Sequence, residues 1–205
     1  LPTGSVIYSL NLMCAVISSF TLLMFFNLMV FIFTKLKLND DTWQTTLSDN
    51  IIYNISFATS LILAFSKTFW DTSNAIEVYS LHTFFIVTNI YLFLKACNFT
   101  SADTKENLLL REKYCLLFAF VLGLSFGNHL TTIFLSVGFL YLFFAVNGFN
   151  KLALQRILLL AIPFALGLSI YIYLPVRAEN PVLSWGHPDT WDNFYRHVSG
   201  KQFSV

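Results

Sequence analysis

The chain has 205 residues, of which 56% are hydrophobic, 18% aromatic and only 11% charged. A soluble domain carries roughly 25% charged residues, so much of this apolar surface must face something other than water, and the bilayer is the solvent that fits. A net charge of +1 with no basic run gives no reason to expect nucleic acid as a partner.

Val6 to Phe33 is the first apolar run, long enough for a core of about 30 Å, which takes about 20 helical residues. Ile51 to Phe65 is a second, short run. The break "FSKTFWDTSNAIEVYSL", Phe65 to Leu81, brings Lys67, Asp71 and Glu77 among aromatics. Ser80 to Ala96 is the third run, Tyr114 to Val146 a long fourth, and Ile157 to Leu174 the last. In lipid each backbone group must pair within its own segment, and no period-two alternation marks barrel strands, so these are predicted helices. The fold class is all-α: a polytopic transmembrane bundle of about six segments, some short or broken.

Lysine and arginine set the orientation. Lys35, Lys37, Lys95, Lys105, Arg111, Lys113, Lys151 and Arg156 fall on one side and predict the cytoplasm there. The break at 65–81 and everything after Pro175 then face outward. The long run begins and ends inside, so it is a hairpin. Two full spans need about 40 residues, so one limb is short or broken, with "GLSFGNHLTT", Gly123 to Thr132, as the natural break. His129 then lies near the outer end. Pro163 and Gly167 predict a kink in the last helix. Residues 1–174 form the bundle, and 175–205 an outward-facing loop. Within it "PDTWDNFYRHV" offers Asp189 or Thr190 as cap for a short interfacial helix from Trp191.

Cys14, Cys97 and Cys115 are too scattered for a disulfide framework or a metal site, and read as inert thiols. Asn11, Asn27 and Asn89 lie inside spans, where they glue helices together. Glu77 reads either as a solvated loop acid or as a carboxylate holding a metal, a sugar hydroxyl or a basic partner at a pocket mouth. His129 is either a ring bonded across helices or a functional group at membrane depth. Arg177, after Pro175, is either a snorkelling anchor or a planar fork for phosphate. Leu1 is not a start methionine and no signal peptide precedes it, which predicts a piece of a longer protein.

Four stretches then occur in order: "AFSKTFWDTSNAIEVYSL", "VLGLSFGNHLTT", "YIYLPVRAENPVLSWGHPDTWDNF" and "HVSGKQF". With them the chain resembles the membrane proteins called domain of unknown function 2723, a group similar to the transmembrane protein 260 O-mannosyltransferases and to GT-C glycosyltransferases. The resemblance implies a polytopic enzyme that takes a sugar, mannose, from a polyprenyl- or dolichyl-phosphate donor. The acceptor would be a hydroxyl of a protein or glycan, on the periplasmic face of a bacterial inner membrane or the lumenal face of the endoplasmic reticulum. It places the catalytic acid in an outer loop upstream of Leu1, so that this piece alone lacks it. It carries Glu77, His129, Arg177, Trp185 and Gly186 over as the supporting shell, with His187 next to them. The donor is the substrate; no cofactor is implied, and a divalent metal is compatible but not indicated. A transporter module and a non-catalytic structural subunit are the alternatives from other classes. A second copy of these helices in the remaining sequence would favour the former.

Overall fold

The computed structural model describes residues 6–39, 41–98, 105–178 and 186–201. Among them the regular structure is helical, with no strand. The chain divides into two compact units, Leu1–Tyr91 and Leu92–Val205.

The first unit holds α1 (Val6–Asn39), α2 (Asp41–Thr46), α3 (Asp49–Ala64), α4 (Lys67–Ser73) and the first part of α5 (Tyr79–Asn98). α1 is apolar all round, the pattern of a helix in lipid. It packs on α3. On α1 the buried positions Cys14, Ser18, Thr21 and Leu28 fall at helical spacing, and on α3 Ile52, Ser56 and Ser60 do the same. Small side chains let the helices approach where no hydrophobic drive exists between them. The Lys37 ammonium meets Asp49 Oδ1 at 2.8 Å. That pair sets a cation in the last turn of α1 and an anion in the first turn of α3, each where the helix dipole favours it. Seven residues of the 65–81 break form α4, which bends away from α3 by 68°. Phe65 stacks on Trp70 across that bend at 6.1 Å.

The second unit holds the rest of α5, then α6 (Lys105–Asn128), α7 (Thr132–Asn147), α8 (Lys151–Leu168), a 3-10 turn (Ser169–Ile172), α9 (Tyr173–Ala178) and α10 (Trp191–Val198). α6 and α8 touch backbone to backbone. A Cβ on Gly123 would run into the Phe164 carbonyl, and one on Gly167 into the Phe120 carbonyl. Phe126 lies edge-on to Phe164 beside this crossing. Phe93, Phe118 and Phe139 form a buried aromatic core with centroids 4.7 to 5.2 Å apart.

Among the described residues, three stretches are long and apolar enough to cross a membrane: Val6–Leu38, Tyr79–Cys97 and Lys151–Ala178. The bent pair α3 and α4 makes a fourth if it is one span, and α7 is apolar but shorter. Large apolar side chains stand outward, Phe134 being 77% and Ile162 71% exposed, which water would penalise and lipid does not. The protein is an integral membrane protein.

Two sequence expectations shift. The break in the long run narrows to residues 129–131, because α6 continues through Gly123, whose missing Cβ serves the contact with α8. Asn27 donates to the Leu23 carbonyl at 2.8 Å, within its own helix and not across to a neighbour.

Candidate functional site

The α6–α7 turn is closed by hydrogen bonds to several of the carbonyls that a helix end leaves without a partner. The His129 N–H donates to the Ser125 carbonyl at 3.1 Å, and the Thr132 N–H to the His129 carbonyl at 3.2 Å. The buried Thr132 hydroxyl lies 2.8 Å from the His129 carbonyl and 3.3 Å from that of Ser125. The Tyr171 hydroxyl reaches across from the 3-10 turn and donates to the Phe126 carbonyl at 2.8 Å. This turn is built, not frayed.

His129 is half-buried in it. Its Nδ1 lies 2.8 Å from the Thr131 hydroxyl and accepts from the Thr131 N–H at 3.3 Å. A backbone N–H cannot accept, so Nδ1 carries the lone pair and a neutral ring holds its proton on Nε2. Nε2 is therefore a donor.

Other elements gather at the same end of this unit. The 3-10 turn touches α6 through Tyr171, and through Ile170 against Gly127. It leads directly into α9, whose last turn carries Arg177. Arg177 is exposed, and its guanidinium makes no hydrogen bond or ion pair among the described residues. Gly200, just past α10, adopts φ +69°, and a Cβ there would meet the Leu130 side chain at 2.8 Å. α10 itself starts at Thr190, whose hydroxyl accepts from the Asn193 N–H at 3.4 Å. Of the two caps expected for this helix, Thr190 is the one used. α10 is strongly two-faced, with Trp191 86% exposed and Arg196 paired to Asp192 at 3.0 Å. Its His197 Nδ1 is buried without a partner among the described residues. His197 is not among the candidate site residues of the sequence, although both "PDTWDNFYRHV" and "HVSGKQF" contain it.

His187 is exposed, with φ +43° after Gly186 at +73°, ahead of the buried Pro188. Two successive left-handed residues, one of them not glycine, store strain of order 1 kcal/mol. Trp185 lies outside the described residues. Glu77 belongs to the first unit, exposed in the segment between α4 and α5, with its N–H donating to the Ala75 carbonyl at 2.9 Å. The second unit also contains a cavity of about 760 Å3, but His129, Arg177 and His187 do not line it. Among the described residues, no group of three or more His, Cys, Asp or Glu side chains could hold a metal ion.

The sequence model of the Protein O-mannosyl-transferase TMEM260 N-terminal domain matches residues 1–153, three quarters of the chain. The chain belongs to this family. Over 207 aligned residues it is 26% identical to mouse (Mus musculus) Protein O-mannosyl-transferase TMEM260, an alignment covering 100% of this chain and 26% of the mouse protein. It therefore spans about a quarter of the length of that curated relative of the TMEM260 family. No solved structure matches it. The family match ends at Ala153, so it covers Glu77 and His129, whereas Arg177, Trp185 and His187 fall in the stretch reached only by the alignment with the mouse protein.

Proposed function

We propose that this chain is part of a membrane glycosyltransferase. It would transfer a sugar, mannose, from a polyprenyl- or dolichyl-phosphate donor to a hydroxyl of a protein or glycan on the outer or lumenal face, with a GT-C-like helical frame. The family match to an O-mannosyl-transferase domain is the observation that carries the reaction class. The gathering of the His129 turn, the Arg177 helix and α10 at one end of the second unit supports that end as the phosphate side.

In the reaction the acceptor oxygen forms a bond to the sugar's anomeric carbon while the bond from that carbon to the phosphate oxygen breaks. The acceptor proton goes to a general base, which is assigned to no residue of this chain. The leaving lipid phosphate gains negative charge. Arg177 is suited to meet it, because a guanidinium gives two parallel hydrogen bonds where an ammonium gives a point charge. His129 Nε2–H supplies a second donor from a turn already locked by Thr131 and Thr132. Preorganised donors of this kind stabilise the transition state without reorganising. The strained Gly186–His187 turn shapes the sugar side.

The test is Arg177 in the full-length enzyme. A contact that strengthens as the sugar leaves lowers the rate more than donor binding. Arg177→Ala should cost about 3 kcal/mol, roughly a hundredfold in rate, as losing one oxyanion donor does, and Arg177→Lys should recover only part. Equal activity per folded molecule in wild type, Ala and Lys removes Arg177 from the site.

A further inference from the structure

The cavity of about 760 Å3 in the second unit has the size of a small-molecule site. It opens among four helix ends: the last turns of α5 and α7, the first half of α6 and the first half of α8. It is not the end that carries His129. Arg111 lines it, and about 25 Å of helix separates Arg111 from Asn128.

The charged and amide groups of its lining lie toward one end. Arg111, Asn147 and Arg156 stand near the helix ends, whereas Phe118, Leu160 and Pro163 lie deeper. On α6 and on α8 alike the apolar lining reaches seven residues past the arginine (Arg111 to Phe118, Arg156 to Pro163), about 10 Å along the axis. The result is a cationic mouth over a greasy slot.

The mouth is held in place. Asn147 donates through Nδ2 to the Phe143 carbonyl at 2.9 Å, which fixes its amide. Its Oδ1 then accepts from Arg156 Nη1 at 3.0 Å. Asn150 donates to the Asn147 carbonyl at 2.8 Å, while its own Oδ1 caps α8 by accepting from the Ala153 N–H at 2.9 Å. Gly148, at φ +73°, makes the turn between them. The partner that positions Arg156 is neutral, so the guanidinium keeps its charge and its remaining donors. Among the described residues neither Arg111 nor Arg156 forms an ion pair. Among the described residues of the lining, two arginines face one carboxylate, that of Glu112, an excess of one positive charge.

We infer that this cavity binds an anionic membrane lipid, its headgroup phosphate between Arg111 and Arg156 and its acyl chain in the slot along Phe118, Leu160 and Pro163. Charge complementarity selects phosphate, for which the guanidinium fork is suited. The apolar slot selects a lipid over a free anion, and basic pockets between membrane helices take such headgroups. The site is independent of the sugar-transfer reading.

Cys115 lines the same cavity and reports on it. The full-length protein, with Cys115 as its one reactive thiol, is placed in nanodiscs and its alkylation by a neutral maleimide timed. Replacing part of the phosphatidylcholine by phosphatidic acid should slow the reaction. In Arg111→Gln with Arg156→Gln the half-protecting mole fraction should rise about tenfold. Leu160→Trp fills the slot and keeps both arginines, and it should abolish protection. Inorganic phosphate added to phosphatidylcholine discs should protect little. Equal rates in the two lipids overturn the inference, as does protection by inorganic phosphate matching that by phosphatidic acid. Full protection in Leu160→Trp also overturns it, since surface charge alone would then explain the effect. If the double arginine variant fails to fold, Leu160→Trp and the wild-type lipid comparison still decide.

Discussion

The two units hold apolar helices together by different chemistry. In the first, α1 and α3 bury hydroxyls: Ser18 and Thr21 on one, Ser56 and Ser60 on the other. In the second, α6 and α8 meet through Gly123 and Gly167, with no side chain between the backbones. Both solutions suit a solvent as apolar as the helices, where close packing replaces the hydrophobic drive. They differ in what they tolerate. A small hydroxyl can be swapped for a group of its own size, whereas a glycine whose Cβ would lie inside a neighbouring backbone cannot be swapped at all.

The largest effect should therefore come from the glycine crossing. Gly167→Ala puts a methyl into the Phe120 carbonyl and within 2.8 Å of the Leu124 nitrogen, neither of which is the tip of a flexible side chain. We expect a loss of about 3 kcal/mol, the upper range for overpacking, read as denaturant unfolding in detergent. Gly138→Ala on α7 is the control. Nothing lies within 4 Å of the added carbon, and the helix gains up to about 1 kcal/mol of propensity. Equal stability of the two variants would break the comparison.

That crossing also marks where sequence reading stops. The apolar runs predict the helices because lipid leaves the backbone no alternative to internal pairing; the Ile51 to Phe65 run, for instance, falls on α3, Asp49–Ala64. Gly123 looked like a place to end a helix, since local sequence shows a glycine's weakness but not its partner forty-four residues away. The site divides in the same way. His129 and Arg177 stand out as ionisable groups beside membrane segments. Their sharing of one end of the unit depends on Tyr171 reaching Phe126, 45 residues away, a contact no motif encodes. The cavity at the other end was invisible for the same reason: its lining comes from four helices, and Asn147 gives no local sign that it holds Arg156.

The helix caps sharpen the contrast at a smaller scale. Asn150 caps α8 at 2.9 Å and also ties down the Asn147 carbonyl, whereas Ser48 caps α3 through a single 3.4 Å contact with the Ile51 N–H. Asn150→Ala should cost about 1.5 kcal/mol and Ser48→Ala about 0.5 kcal/mol, the two ends of the usual capping range. The same unfolding assay measures both, and a reversed order would mean that the α7–α8 turn does not depend on its asparagines.

The smallest effect should come from Thr21, although it is fully buried. Its hydroxyl donates to the Ile17 carbonyl at 3.0 Å, one turn back in its own helix. That carbonyl already receives a backbone N–H in the α-helical ladder, so removing the hydroxyl leaves no orphaned acceptor behind. Valine has nearly the same shape, loses nothing across the interface and removes a polar atom from an apolar setting. Thr21→Val should therefore change stability by less than about 0.5 kcal/mol, below the average of about 0.6 kcal/mol for a hydrogen bond between membrane helices. A loss of 1 to 2 kcal/mol, the range seen for model peptides joined by such bonds, would mean that the hydroxyl bonds across to α3 in the membrane. The first unit would then depend on specific polar contacts as strictly as the second depends on its glycines.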